Sequence, residues 1–178
     1  MAPVSGTVRI ELPGASTVVS LDSQATVPVG TTIDTTDGRV RLITAKDTGG
    51  HTQTGLFDSG SFSVSQTIAR SRLHTRHKVG LTVLKVAGQL PSGCAGRSAT
   101  ASAKHRHGVR ELWGNAKGNY RSVGHYGAAT VRGTKWLTRD TCAGTLVRVA
   151  RGVVSVNDFT RHRTVLVRAP NSYLARAH

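Results

Sequence analysis

The sequence predicts an all-β fold, and three of its features lead to this prediction. Valine and threonine recur along the whole chain, and both favour the half-buried surface of a β-sheet. Short apolar or alternating runs are separated at regular intervals by turn signals such as Pro13-Gly14, Asp37-Gly38 and Arg151-Gly152. No segment combines a helical period with helix caps. These features indicate a compact, antiparallel-rich fold and leave open whether it is a sandwich, a barrel or a β-solenoid-like arrangement.

The first 87 residues are predicted to form an N-terminal β region. Val8, Ile10 and Leu12 alternate with charged residues, which predicts a first strand at Gly6–Leu12. Val79–Ala87 is an apolar run typical of a buried strand. The other strands are predicted at Ser16–Leu21, at Thr31–Thr35, at Arg39–Ala45 and, as two short strands around Ser59-Gly60, at Leu56–Gln66. The polar residues 47–54 are predicted to form a loop.

The rest of the chain divides by composition into two parts. Residues 88–118 are rich in Gly, Ser, Ala, Arg and His, most clearly up to Gly108, and predict a flexible basic excursion. Residues 119–178 are predicted to form a C-terminal β region of the same unit. Its strands are expected at Gly127–Arg139 with an interruption at Gly133, at Leu146–Ala150, at Val153–Val156, at Arg163–Ala169 and at Ser172–Ala175. Most of the following residues are expected to lie together in one core: Val131, Leu137, Val147, Val149, Val154, Val156, Val165 and Val167.

A weak internal echo connects the two β regions. Gly60-Ser61-Phe62-Ser63-Val64 resembles Gly152-Val153-Val154-Ser155-Val156, and each follows a strand, a turn and a second strand. The echo indicates either a duplicated unit or only a shared vocabulary of β-forming residues.

The charge of the chain is strongly basic and unevenly distributed. The formal net charge is +15, from 24 basic and 9 acidic residues. Residues 1–65 hold four of the basic groups and six of the acidic ones, whereas residues 66–178 hold the other twenty basic groups and three acids. This asymmetry favours long-range attraction of polyanions, although an Arg-rich proteome or a solvated surface would produce the same excess. The densest basic cluster, and therefore the predicted polyanion site, comprises Arg70, Arg72, Arg76 and Lys78.

The two cysteines predict one structural disulfide. Cys94 and Cys142 each lie in a Gly-containing turn, and they are too far apart in sequence for a CxxC redox motif. Exposed turns are poor sites for an unpaired thiol, so a Cys94–Cys142 bridge is preferred over two free thiols. Such a bridge predicts an oxidising compartment, and therefore a secreted or cell-surface protein.

The most specific stretch of the sequence surrounds Arg132-Gly133-Thr134. A glycine within a strand marks a bulge or a close backbone approach, and an adjacent arginine has donors enough to satisfy loop carbonyls across it. An anion site at Arg132 is the functional alternative.

Together with the turn at 142–144, Gly152-Val153-Val154-Ser155-Val156 and Arg163–Arg168, the stretch around Arg132-Gly133-Thr134 resembles the FecR domain over roughly residues 119–175. The whole chain is also similar to a group of actinobacterial secreted proteins that carry such a domain.

The FecR resemblance implies a compact β fold outside the cytoplasm, and residues 28–64 match its earlier part more loosely. Well-known members of that family relay iron-uptake signals across a membrane. This sequence has no run of membrane-span length and no cytoplasmic anti-sigma segment, so signal relay is not expected. Met1-Ala2-Pro3 leads directly into a β-like run, and no signal peptide is visible.

Neither catalysis nor a cofactor is expected. The acids are scattered through turns, and no GxSxG, HExxH or Walker motif occurs. The histidine pairs His74/His77 and His105/His107 lie among basic residues that oppose a metal dication, so no metal site is predicted. Trp113, Tyr120 and Tyr126 near basic groups suggest nucleic-acid binding, but core filling is the preferred interpretation in a chain with eight aromatic residues.

The resulting expectation is a non-enzymatic extracellular or cell-envelope module. It would bind an anionic wall polymer or glycan, or assemble with itself through open β-edges. A nucleic-acid-binding protein is the alternative. The disulfide distinguishes the two, because a reduced pair would favour the cytosol.

Overall fold

The computed structural model of the protein describes residues 1–69, 79–89 and 110–177. These residues form two β-sheets that pack face to face, and they contain no helix. No helix long and apolar enough to cross a membrane is therefore found among them. The strands are β1 Ala2–Gly6, β2 Arg9–Glu11, β3 Val18–Ser20, β4 Thr32–Asp34, β5 Gly38–Ala45, β6 Thr52–Asp58, β7 Ser61–Ala69, β8 Val79–Ala87, β9 Glu111–Lys117, β10 Tyr120–Val123, β11 Gly127–Val131, β12 Thr134–Thr141, β13 Gly144–Arg151, β14 Val153–Asp158, β15 Arg163–Arg168 and β16 Ser172–Arg176.

The two sheets have seven and nine strands. The order of the seven-stranded sheet is β1-β5-β6-β9-β12-β13-β16, and that of the nine-stranded sheet is β15-β14-β11-β10-β8-β7-β4-β2-β3. Every pairing is antiparallel except that of β8 with β10, which is parallel. Two open sheets packed together make the fold a β-sandwich, one of the arrangements that the sequence left open.

The core lies between the sheets and extends through both halves of the chain. Aliphatic residues from both sheets form most of it, as expected from the low aromatic content. Its centre is aromatic: the Phe57 ring centroid lies 5.7 Å from that of Phe62, 5.5 Å from that of Tyr120 and 6.3 Å from that of Trp136. Six of the eight residues predicted for this core belong to it, and Val165 packs against it partly buried. Leu137 is also buried, but on the opposite, outer face of its sheet.

Several strand predictions need correction. The predicted first strand, Gly6–Leu12, is divided, because the chain crosses from one sheet to the other between Gly6 and Arg9. The predicted loop 47–54 ends earlier, since β6 begins at Thr52. Residues 111–117 of the predicted excursion form β9, a central strand of the seven-stranded sheet, and residues 90–109 lie outside the described part of the chain.

The strand order contains the same arrangement twice. Strands β4 to β9, here called the first unit, alternate between the sheets exactly as β11 to β16, the second unit, do. In the first unit β4 pairs with β7, β5 with β6, β7 with β8, and β6 with β9. In the second unit β11 pairs with β14, β12 with β13, β14 with β15, and β13 with β16. This repetition favours a duplicated unit as the source of the echo in the sequence.

The register supports the same correspondence at the level of residues. Ile33 opposes Phe62 in the first unit, and Val131 opposes Val154 in the second. In the seven-stranded sheet, β9 of the first unit pairs with β6 on one side and with β12 of the second unit on the other. In the nine-stranded sheet, β8 of the first unit pairs in parallel with β10, the strand that precedes the second unit. The sandwich is therefore built from two copies of one topology joined side by side.

Candidate polyanion-binding face

The outer face of the seven-stranded sheet collects most of its charged side chains. Side chains alternate between the two faces of a strand, so a strand with one buried face directs every second residue to solvent. In β5 the buried residues Val40 and Leu42 alternate with Arg39, Arg41 and Ile43. The same alternation in β9, β12 and β13 places charged and polar residues outside. We call this outer surface of β5, β6, β9, β12 and β13 the basic face.

Two rows of side chains cross the basic face at right angles to the strands. The pairing register aligns the first row across all five strands as Arg41, Leu56, Asn115, Lys135 and Arg151. It aligns the second row as Arg39, Asp58, Trp113, Leu137 and Arg148. Because neighbouring strands are roughly 4.8 Å apart, each row is about 19 Å long. The first row contains no acidic residue.

The centre of the basic face is apolar and aromatic. Trp113 is half-buried there, and the Lys135 Nζ lies 5.7 Å from the centroid of its ring. That distance is within the range of a cation–π interaction. Leu137 is only 4% exposed, because Trp113 on β9 and Arg148 on β13 flank it. The sequence interpretation of Trp113 as a core residue is therefore wrong, whereas Tyr120 does lie in the core.

The two acids of the basic face are already paired. Arg39 Nε is 2.8 Å from a carboxylate oxygen of Asp58, and Arg139 binds the Glu111 carboxylate. Arg151 Nη2 donates a hydrogen bond of 3.0 Å to the Asn115 side-chain oxygen. Among the described residues Arg41, Lys117, Lys135, Arg148 and Arg151 have no acidic partner. Five cations thus remain to attract an anionic ligand.

The outer face of the nine-stranded sheet differs in chemistry. Its centre is formed largely by small polar or aliphatic side chains, among them Ser63, Ser65, Val83 and Thr130. Lys85 and Arg121 are the basic residues of its central strands β7, β8, β10 and β11. Among the described residues, these central strands therefore carry fewer basic side chains than the basic face.

Most residues that the sequence nominated as sites fall outside the described part of the chain. The predicted cluster Arg70, Arg72, Arg76 and Lys78 is outside the described residues, as are the histidine pairs and Cys94. Cys142 is exposed in the turn between β12 and β13, and its bridge to Cys94 stays a prediction. The described part of the chain contains no group of three or more His, Cys, Asp or Glu residues placed to hold a metal.

The Arg132-Gly133-Thr134 motif forms a corner rather than a bulge inside a strand. β11 ends at Val131 and β12 begins at Thr134, so Arg132 and Gly133 carry the chain from one sheet to the other. Arg132 is exposed, and its guanidinium bonds no carbonyl among the described residues. The expected bridging of loop carbonyls by this arginine is therefore not found. A register irregularity occurs just after the motif, between Lys135 and Trp136.

Sequence reasoning missed the basic face, although a local signal for it exists. Arg39-Val40-Arg41 and Lys135-Trp136-Leu137-Thr138-Arg139 alternate charged residues with buried ones, and such alternation predicts one charged sheet face. What the sequence does not contain is the lateral order that places β5, β6, β9, β12 and β13 side by side. No family model, curated protein or solved structure matches the chain significantly.

Proposed function

We propose that the protein is a non-enzymatic extracellular or cell-envelope module that binds an anionic polymer across its basic face. The observation that carries the proposal is the acid-free row from Arg41 to Arg151, which lies beside Arg148 and the half-exposed Trp113. A linear polyanion lying along this row meets three cations in about 19 Å. The secreted placement depends on the predicted Cys94–Cys142 bridge, and the FecR resemblance over 119–175 stays a prediction.

Long-range attraction alone does not distinguish a binding site from a solvated surface, but a localised effect of charge reversal does. We expect the double variant Lys135→Glu/Arg148→Glu to elute from heparin at clearly lower salt than the wild type. The matched control is Lys85→Glu/Arg121→Glu, which makes the same change in net charge on the outer face of the nine-stranded sheet. Equal losses in the two variants would contradict a localised site.

The salt dependence of binding provides a quantitative measurement. Each anionic group that a side chain neutralises releases counterions, so the logarithm of affinity falls linearly with the logarithm of salt concentration. Removal of two such contacts should reduce that slope by about two in Lys135→Glu/Arg148→Glu. Titration of a polyphosphate of defined length at several salt concentrations would measure the slope. An unchanged slope would show that neither residue contacts the polymer.

A nucleic-acid-binding protein is the second candidate, and Trp113 is the observation that favours it. A base stacked on an aromatic side chain contributes about 1–3 kcal/mol to single-strand binding. Trp113→Ala should therefore weaken binding of a single-stranded oligonucleotide about tenfold or more. Heparin retention should change little, because heparin has no bases to stack on the ring. Fluorescence anisotropy with a labelled oligonucleotide measures the first quantity. A large loss of oligonucleotide affinity without loss of heparin retention would favour nucleic acid.

A further inference from the structure

The two ends of the sandwich differ in a way that points to association between copies of this chain. We call residues 1–22, with β1, β2 and β3, the head, and residues 159–176, with β15 and β16, the tail. At the head, the Met1 ammonium donates to the Ala25 carbonyl at 2.8 Å, and the Met1 carbonyl accepts from the Ala25 N–H at 2.9 Å. These bonds hold the residue before β1 against the segment that follows β3. At the tail, Arg163 Nη2 donates to the Tyr173 hydroxyl at 3.1 Å and joins β15 to β16. The head contains the edge strands β1 and β3, and the tail contains the edge strands β16 and β15, so each end has one edge strand of each sheet.

The edges of the two tail strands correspond to edges that are paired with further strands at the end of the first unit. β15 is the counterpart of β8, whose second edge pairs with β10. β16 is the counterpart of β9, whose second edge pairs with β12. In the tail the same two edges have no neighbour among the described strands. An unpaired edge is a row of free N–H and C=O groups that templates pairing with another chain.

Exposed apolar side chains are concentrated at the same two ends. The described residues include ten large apolar side chains that are exposed, and six of them belong to the head or the tail: Val4, Leu12, Val18, Val19, Phe159 and Leu166. Leu166 on β15 is 66% exposed, and Val19 on β3 is 47% exposed. Apolar groups grouped at an edge mark an interaction surface more often than groups scattered singly do.

The charges of the two ends are complementary. The tail carries Arg161, Arg163, Arg168 and Arg176 and no acidic side chain. The head carries Glu11 and Asp22; of its two positive groups, the Met1 ammonium donates to the Ala25 carbonyl and Arg9 lies 3.5 Å from Asp37. Two tails would repel each other, whereas a tail and a head attract. A head-to-tail contact is heterologous, and repetition of it builds an open filament unless the ring closes.

We propose that the tail of one molecule binds the head of a second copy of this chain, so that the sandwich extends end to end. The contact joins β15 and β16 of one molecule to β3 and β1 of the next and covers Leu166 and Val19. It does not involve the basic face and does not depend on the proposed function.

Sedimentation velocity of the full chain over a range of concentrations tests the proposal. The wild type should form concentration-dependent species that are multiples of 18.8 kDa. Leu166→Lys at the tail and Val19→Lys at the head each place a charge in the centre of the contact. Each variant should raise the protein concentration needed for association about tenfold or more. The matched control is Ile68→Lys, because Ile68 is 61% exposed on β7, in the middle of the nine-stranded sheet. It should associate like the wild type.

A charge-swap experiment distinguishes head-to-tail from other contacts. The tail variant Arg161→Glu/Arg168→Glu and the head variant Glu11→Arg/Asp22→Arg should each associate weakly, because each then meets a like charge. An equimolar mixture of the two should associate again, since each altered end faces an altered partner. The proposal would be overturned if the wild type stayed monomeric or if the mixture did not associate again. It would also be overturned if Leu166→Lys weakened association and Val19→Lys did not, or if Ile68→Lys weakened it equally.

Discussion

At the scale of single residues, two glycines show different reasons why no other residue fits. Gly133 has a φ of +111°, and a Cβ built there would meet no atom within 4 Å, so only its backbone conformation requires glycine. Gly114 in β9 has no such φ, but a Cβ there would lie 2.5 Å from Cη2 of the Trp136 ring. The first glycine turns the chain between the sheets, and the second makes room for the largest side chain of the core.

Tyr120 predicts a loss of stability in alkaline solution. Burial in the core raises the pKa of Tyr120 from 10.0 to about 12. The pKa of Tyr120 is higher in the folded than in the unfolded state, so the protonated hydroxyl contributes to the free energy of unfolding. This contribution is fully present below pH 10 and is lost as the pH rises from about 10 to about 12. Its size is of the order of 1–3 kcal/mol.

Replacement of that hydroxyl should remove this part of the alkaline sensitivity. Tyr120→Phe does not ionise, so its free energy of unfolding should fall less than that of the wild type between about pH 9 and about pH 12. Urea denaturation at each pH measures both values, and groups that titrate in both proteins cancel in the difference. Equal decreases in the two proteins would mean that the hydroxyl ionises without cost in the folded state.

At the scale of elements, buried polar pairs hold the turns between strands in both units. Asp140 opposes Thr145 in β12 and β13, and Thr44 opposes Gln53 at the corresponding position of β5 and β6. Asp140 is fully buried and accepts two bonds of 3.0 Å from the His125 backbone N–H and one from the Thr145 hydroxyl. Gln53 binds the turn at Asn119 in the same manner, by accepting from its N–H and donating to its carbonyl. The Asp140 side chain therefore holds the turn at His125 that precedes β11, and the Gln53 side chain holds the turn at Asn119 that precedes β10.

Removal of the Asp140 carboxylate should be strongly destabilising. Asp140→Ala would leave the His125 N–H unpaired and would remove the partner of Arg110, whose Nε is 3.4 Å from a carboxylate oxygen of Asp140. The expected decrease in the free energy of unfolding is about 3 kcal/mol. Asp37→Ala is the matched control, because its pair with Arg9 is exposed and should contribute less than about 1 kcal/mol. Comparable losses in both variants, measured by chemical denaturation, would refute the assigned role of Asp140.

At the scale of the whole molecule, the two units are joined in one sheet and share one core. β9 of the first unit pairs with β12 of the second, and one continuous set of buried residues extends from Val8 to Val167. The duplicated topology therefore does not produce two independent domains. The basic side chains are grouped on one surface and not in one unit, because the basic face includes β5 of the first unit as well as β12 and β13 of the second.

A shared core predicts cooperative unfolding of both units. Ile33→Ala creates a cavity in the first unit and should cost about 2–5 kcal/mol. If the units unfold together, this change should shift the fluorescence transition, to which Trp136 of the second unit contributes, by as much as the far-UV circular dichroism transition. A fluorescence transition that stays at its wild-type denaturant concentration would show that the second unit unfolds alone.

Much of the strand pattern could be predicted from the sequence, because its causes are local. β8 has the predicted bounds, and β5 differs by a single residue, since alternation and turn residues act over short distances. β9 could not be predicted in this way. Its sequence, Glu-Leu-Trp-Gly-Asn-Ala-Lys, has mixed composition, and its central glycine is explained only by the Trp136 ring packed against it.

The sequence by itself determined the all-β class, most turns, part of the core and the excess of basic residues, since composition and periodicity contain that information. The tertiary structure alone decided which strands lie side by side. That order makes one face basic, places Leu137 and Trp113 at its centre, contains one topology in two copies and leaves one edge strand of each sheet at either end of the described sandwich. The physical reason is that lateral pairing joins residues far apart in the chain, so no local pattern specifies which charges share a face.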